Sequence, residues 1–211
     1  MLHSAKRICG TLALLAAVVL GGAAPAAWAQ NLLTNGDFDA GAGLGGWTWG
    51  PGALALGDDS GSCLLSDGAD ATSGQAASSH YFAMYSTQCI AVDPLATPTL
   101  HLNAIYRTTA PVWARLALQS FTDAGCANFE GYYSGAYGST SAAWAAIGGP
   151  ITLAASTLSF KVTADFNPMN AGQGPFTGSF DRFYVGVLPQ IFVDDFEFES
   201  GSACHWSAIV D

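Results

Sequence analysis

The stretch TLSFKVTADF, residues 157–166, sets Leu158, Phe160, Val162, Ala164 and Phe166 against Ser159, Lys161, Thr163 and Asp165. Successive side chains of a strand point to opposite faces, so the pattern lays an apolar row on one face and a polar row on the other. It predicts a half-buried β-strand, which needs a second apolar layer to cover it. The alternation recurs upstream. PTLHLNAIYR, residues 98–107, sets Leu100, Leu102, Ala104 and Tyr106 against His101, Asn103, Ile105 and Arg107. VWARLALQSF, residues 112–121, sets Val112, Ala114, Leu116 and Leu118 against Trp113, Arg115, Ala117, Gln119 and Phe121. The TTAP between them reads as a hairpin. Residues 53–56, 81–92, 129–133, 151–153 and 178–187 are further strand candidates, each bounded by Gly, Pro, Asp or Ser. Helical periodicity is scarce. About nine strands with turn signals between them predict one all-β domain, an antiparallel β-sandwich.

The first 29 residues stand apart from this pattern. Lys6 and Arg7 precede an apolar run from Ile8 to Ala24, and Ala27-Trp28-Ala29 follows Pro25. This is the layout of a secretory signal peptide, with cleavage expected after Ala29. The run is shorter than the roughly 20 uninterrupted apolar residues of a membrane anchor, and Cys9 stands at its start, where it cannot serve as a lipidation site at the run's end. The expected organisation is a signal peptide (1–29), a β-sandwich domain (30–189) and a C-terminal tail segment (190–211). The expected location is secreted, periplasmic or at the cell surface, with no membrane insertion.

From Gln30 onward the cations are Arg107, Arg115, Lys161 and Arg182; four against sixteen acids leaves −12. Such a chain repels nucleic acid and anionic membrane surfaces and suits uncharged ligands or cations. Cys63, Cys89, Cys126 and Cys204 remain once Cys9 is removed, and an exported chain oxidises them. No pair has the close spacing of a zinc site. Three pairings are open; Cys89 with Cys126, both beside strand-like segments, and Cys63 with Cys204 is the preferred one.

The opening NLLTNGDFDAGAGLGGWT, residues 31–48, resembles that of the carbohydrate-binding modules of cellulases and xylanases, which share the galactose-binding-like β-sandwich, a jelly roll. Their usual start is N-L-[LI]-x-N-G-[DG]-F-E followed by G-W, and SFDRFYVG, residues 179–186, resembles their closing strand. The resemblance implies a structural calcium where the first and last strands meet, with Asp39 in place of the usual glutamate and Asp181 in place of the closing acid. Calcium takes six to eight oxygen ligands. In an extended backbone Asp37 and Asp39 project to one side and Phe38 to the other, so one short strand buries a ring and presents two carboxylates. The alternative is an Asn-Gly-Asp turn with a solvated Asp39. Gly41, Gly43, Gly45 and Gly46 permit a tight loop with positive φ and carbonyls open to the ion. Trp47 is expected in the core and Trp49 at its rim or within it.

In those modules sugars lie along one sheet face, held by aromatic rings and by amide, guanidinium or imidazole groups. The corresponding stripe here is His101, Asn103 and Arg107 on one strand and Trp113, Arg115 and Gln119 on the next. Tyr132, Tyr133, Tyr137 and Trp144 form a second aromatic group, in what reads as a Gly/Ser loop, with a role at the sandwich edge as the alternative. His80 and His205 have no partner in sequence. Asp67 and Asp70 read as an exposed turn or a minor calcium loop.

Catalytic signatures are missing: there is no G-x-S-x-G, H-E-x-x-H or P-loop. The paired acids Asp58-Asp59 and Asp194-Asp195 point to opposite faces if they lie on strands, unlike a glycosidase's facing carboxylates. The tail VDDFEFESGSACHWS, residues 193–207, echoes GDFDAGAGLGGWT and resembles segments that end many exported proteins of Gram-negative bacteria. The expected function is a secreted, non-catalytic carbohydrate-binding module with a structural calcium and a polysaccharide or glycan partner. An extracellular envelope or matrix protein-interaction domain on the same scaffold is the alternative.

Overall fold

The computed structural model describes residues 30–38, 41–50, 52–60, 68–73, 82–169 and 175–189. The segments 1–29 and 190–211, and with the latter His205, Asp194-Asp195 and Cys204, lie outside the described residues, as do Asp39, Cys63, Asp67 and His80. The described chain forms eleven strands: β1 Trp47–Trp49, β2 Gly52–Gly57, β3 Gly68–Ser73, β4 Phe82–Ser86, β5 Ile90–Ala91, β6 Thr99–Thr108, β7 Val112–Phe121, β8 Phe129–Gly138, β9 Ser141–Thr152, β10 Ser159–Pro168 and β11 Thr177–Gly186.

They pair antiparallel in two sheets. The front sheet runs β1-β4-β10-β7-β8, with β5 also on β10, and the back sheet runs β2-β3-β11-β6-β9. The alternation read from sequence sets the core. Leu100, Leu102, Leu116, Leu118, Phe160, Val162 and Phe166 are fully buried between the layers. Phe166 of the front sheet stacks on Phe180 of the back sheet at 4.4 Å. Each such ring removed from water contributes about 2–3 kcal/mol. Gly178 lets the layers close here, because a Cβ at that position would lie 2.5 Å from the Phe166 ring.

The connections differ from expectation in four places. The expected β6–β7 hairpin is a crossover, since β6 belongs to the back sheet and β7 to the front. Each buries its own apolar row, and the two rows meet across the core. The segment around Asp70 is strand β3, neither turn nor calcium loop, paired with β2 and β11. The supposed Gly/Ser loop holding Tyr132, Tyr133 and Tyr137 is strand β8, on the open side of β7. The single strand expected over 81–92 is two pieces, β4 and β5, both on β10.

The opening segment lies beside β11. Leu32 N–H donates to Val185 O at 2.7 Å, and Phe183 N–H donates to Gly36 O at 3.0 Å. The Asn31 side chain donates to Phe183 O and accepts from Val185 N–H. The segment is bent rather than extended, because Asn35 and Phe38 have φ of 56° and 52°. The extended backbone expected at Phe38 is thus absent, and Asp39 lies outside the described residues. Phe38 still reaches the core, packed against Trp47 and Phe183. Trp47 is buried and Trp49 exposed. Cys89 and Cys126 form the expected disulfide, with Cα atoms 5.9 Å apart.

Candidate functional site

The outer face of the front sheet gathers the chemistry. Its register places Trp113 opposite Asn167, Arg115 opposite Asp165, Ala117 opposite Thr163 and Gln119 opposite Lys161. On the other side of β7, Arg115 faces Tyr137, Ala117 faces Ser134 and Gln119 faces Tyr132. Strand β4 adds Tyr85 beside Thr163. Ala117, Thr163 and Asp165 are buried although they lie on this outer side, whereas Trp113, Tyr132 and Tyr137 are 47%, 45% and 62% exposed. The face is therefore a trough, with a small-residue floor and aromatic walls. It holds a cavity of about 500 Å³ lined by Trp113, Arg115, Tyr137 and Asn167.

An ion pair crosses the floor. Arg115 Nε and Nη2 donate to Asp165 Oδ2 at 2.8 and 2.6 Å, and Asn167 Nδ2 donates to Oδ1. Burial raises the Asp165 carboxyl above the usual carboxylate range, and the hydrogen bond and charge of Arg115 offset only part of that rise. Burial works against the Arg115 charge, but its bond to Asp165, with help from Tyr137, holds the guanidinium above its ordinary value. Arg115 also lies 5.9 Å from the Tyr132 ring. Exposed rings beside a fixed guanidinium and an amide can stack on sugar faces and bond hydroxyls.

The stripe expected from sequence is thus divided. Trp113, Arg115 and Gln119 line the trough, but His101, Asn103 and Arg107 lie on the outer face of the back sheet, across the sandwich. Arg107 is engaged there: it pairs with Asp58 at 3.1 Å, donates to Ser179 Oγ at 3.3 Å and lies 4.7 Å from the Trp144 ring. Ser179 Oγ in turn donates to Asp70. This network ties β3, β11, β6 and β9 to the segment that follows β2. Asp165, Asn167, Thr163 and Tyr85 were missed as site residues. The polar row of residues 157–166 is the signal for Thr163 and Asp165, with Asn167 next in the same alternation, but the pairing of β10 with β7 is not written locally.

Asp181 stands at the start of a β-bulge in β11, where Arg182 takes a φ of 52°. Its carboxylate is fully buried and accepts from Ser60 N–H at 2.9 Å and Arg182 N–H at 2.7 Å. Burial pushes it up to about 7; the Ser60 amide and hydroxyl and the Arg182 amide hold it down, and Asp59 pushes it further up. Ser60 Oγ is buried beside the same carboxylate. Two acids and a buried hydroxyl are donors that suit a hard cation. Among the described residues no three acidic, histidine or cysteine side chains gather as a metal-binding group. Asp37 is half-buried on the turn before Phe38. The Gly43 and Gly45 carbonyls, expected to face the ion, accept from Asn35 Nδ2. No described helix is long and apolar enough to cross a membrane.

No protein-family profile matches this chain, and no curated protein matches it. Solved structures do. A family 61 carbohydrate-binding module in complex with β-1,4-galactotriose shares 14% identity at a TM-score of 0.50, over 74% of this chain and 97% of that one. A module described for the promiscuous specificity of carbohydrate-binding modules of the β-sandwich superfamily shares 13% identity at 0.51, over 71% and 60%. An arabinose-bound family 51 α-L-arabinofuranosidase shares 18% identity at 0.54, over 74% of this chain but only 26% of its own length. At these identities the likeness is one of fold: the chain is an antiparallel β-sandwich of the kind carbohydrate-binding modules use.

Proposed function

We propose that the chain is an exported, non-catalytic carbohydrate-binding module whose ligand lies in the trough of the front sheet. The observation that carries this reading is the meeting of the exposed rings Trp113 and Tyr137 with Arg115 and Asn167 around one cavity, both polar groups fixed by Asp165. Exposed rings offer stacking area at little entropic cost, and prepositioned hydrogen-bonding groups add direction. The fold shared with a carbohydrate-binding module solved with β-1,4-galactotriose supports it. A structural calcium belongs to the same proposal. Asp181 would hold it with Asp59 and Ser60 Oγ, and Asp37 and Asp39 remain candidate donors from the opening segment. The ion would neutralise buried acid at the seam of the sheets.

Affinity electrophoresis or pull-down on a panel of insoluble and soluble polysaccharides tests the function. Retention that disappears in Trp113→Ala supports it. Failure to bind any polysaccharide sinks it and leaves the protein-interaction alternative standing.

A further inference from the structure

We propose that Asp165 acts as an internal counter-ion that reserves the trough for uncharged polysaccharides and turns acidic ones away. The inference rests on the glycan reading above and names the ligand class. Arg115 is the cation that lines the cavity, and a ligand carboxylate or sulfate entering there would pair with it. The guanidinium grips a planar anion best through two parallel bonds. Asp165 already takes the Nε–Nη2 edge through one carboxylate oxygen and matches the guanidinium's charge, so the N–H groups left over can bond a ligand but have no net charge to offer it. Its carboxylate cannot swing aside, because it sits in the floor at 1% exposure with Asn167 on its other oxygen.

A uronate seated beside Trp113 would place a second carboxylate against the same guanidinium. Two like charges at one cation leave one of them uncompensated, and near the floor water screens that charge poorly. A neutral sugar meets no such penalty. Its hydroxyls can accept from the Arg115 and Asn167 N–H groups that Asp165 leaves free. Lys161, the other cation on this face, sits near Phe121, 5.9 Å from its ring. Six residues along β10 separate it from Asn167, roughly 20 Å at strand rise, so it does not offset the cavity's neutrality. The excess of acid elsewhere in the chain acts in the same direction.

Retention of the full chain on xylan, galactan and mixed-linkage glucan, against polygalacturonate and alginate, reads the selectivity. The wild type is expected on at least one neutral polymer and on neither acidic one. Asp165→Asn, which frees the Arg115 fork while keeping shape, is expected to gain at least about tenfold on the acidic polymers. Wild-type retention on polygalacturonate or alginate as strong as on any neutral polymer overturns the inference, and so does a folded Asp165→Asn protein with no gain. Binding to no polymer of either class overturns the underlying glycan reading instead. Should circular dichroism show Asp165→Asn unfolded, salt decides: wild-type retention unchanged by added salt supports an uncharged ligand, and a steep fall overturns it.

Discussion

Arg115 of β7 and Asp165 of β10 sit opposite one another in register, joined by two hydrogen bonds to a single carboxylate oxygen, with Asp165 sealed and Arg115 22% exposed. That asymmetry fixes what each deletion does. Arg115→Met strands a charge with no route to water, and breaking a buried pair in this way costs about 3–5 kcal/mol. Asp165→Asn leaves a guanidinium that can turn to solvent, so its loss is expected to be about 1–2 kcal/mol, nearer a lost charged hydrogen bond. Because the Asp165 carboxyl already lies above the usual range, lowering the pH protonates it in the native state and should shrink the Arg115→Met penalty. Urea unfolding of both variants across pH checks the order; equal losses would refute the asymmetry.

Trp113→Ala separates binding from folding. The ring is about half exposed at the head of β7, and its opposite neighbour Asn167 is bonded to Asp165 rather than to it. Surface substitutions of this kind move stability by about 0.5 kcal/mol or less. Loss of one stacking anchor is expected to weaken glycan retention at least about tenfold, an anchor of this type being worth 2 kcal/mol or more. The two readouts are a thermal midpoint that barely moves and a migration on polysaccharide gels that reverts to that of the unliganded protein.

The fold was legible wherever one face is wet and one dry. Residues 98–107, 112–121 and 157–166 announce their strands through alternation, and each buries the row it was expected to bury except for Leu158, which precedes β10 and is exposed. What alternation does not contain is sheet membership. The rows of β6 and β7 are equally apolar whether the strands pair side by side or face each other across the core, and the chain takes the second arrangement. This divided the expected binding stripe and hid the contribution of β10. Strand β9 was nearly invisible for a different reason. SAAWAAIGGPIT, residues 141–152, is small and apolar without alternation, and it sits at the edge of the back sheet, paired only with β6 there. Strand β3 was masked by turn-forming Asp and Gly, whose local preferences yielded to pairing on both sides.

Gly36 holds the opening segment against β11. A Cβ there would lie 2.2 Å from Phe183 O, the same peptide region that Asn31 and the Gly36 carbonyl bond. Backbone cannot yield that far without losing those bonds, so Gly36→Ala is expected to cost at least about 2 kcal/mol, as for other steric insults at a packed backbone. Hydrogen exchange should show the amides of Leu32 and Phe183 losing protection together.

Joining Cys89 to Cys126 closes a loop spanning 37 residues between the β4–β5 connection and the β7–β8 turn. Loop-closure entropy of that size corresponds to about 3–4 kcal/mol. The double variant Cys89→Ser, Cys126→Ser should lose about that much in denaturant unfolding, with the trough and its ligand retention unchanged because neither cysteine lines it. A loss under about 1 kcal/mol would show that the bridge does little to restrict the unfolded chain.

The buried acid at the seam makes stability depend on pH in a direction that calcium should reverse. In metal-free protein the folded-state Asp181 carboxyl is raised to about 7 from 3.8, chiefly by burial. Between those values the native state binds more protons than the unfolded state. The contribution is therefore complete below pH 3.8 and is lost as pH rises through about 7. Chelated protein should melt at a higher temperature at mildly acid pH than above neutrality, and Asp181→Asn should flatten that dependence. A bound divalent ion needs the ionised carboxylate, so added calcium should raise the midpoint most above pH 7 and least in acid. Calorimetry with chelator and with calcium, at both ends of this range, reads the effect; a midpoint indifferent to calcium at high pH removes the metal, and one that rises with pH in chelator removes the buried acid as its cause.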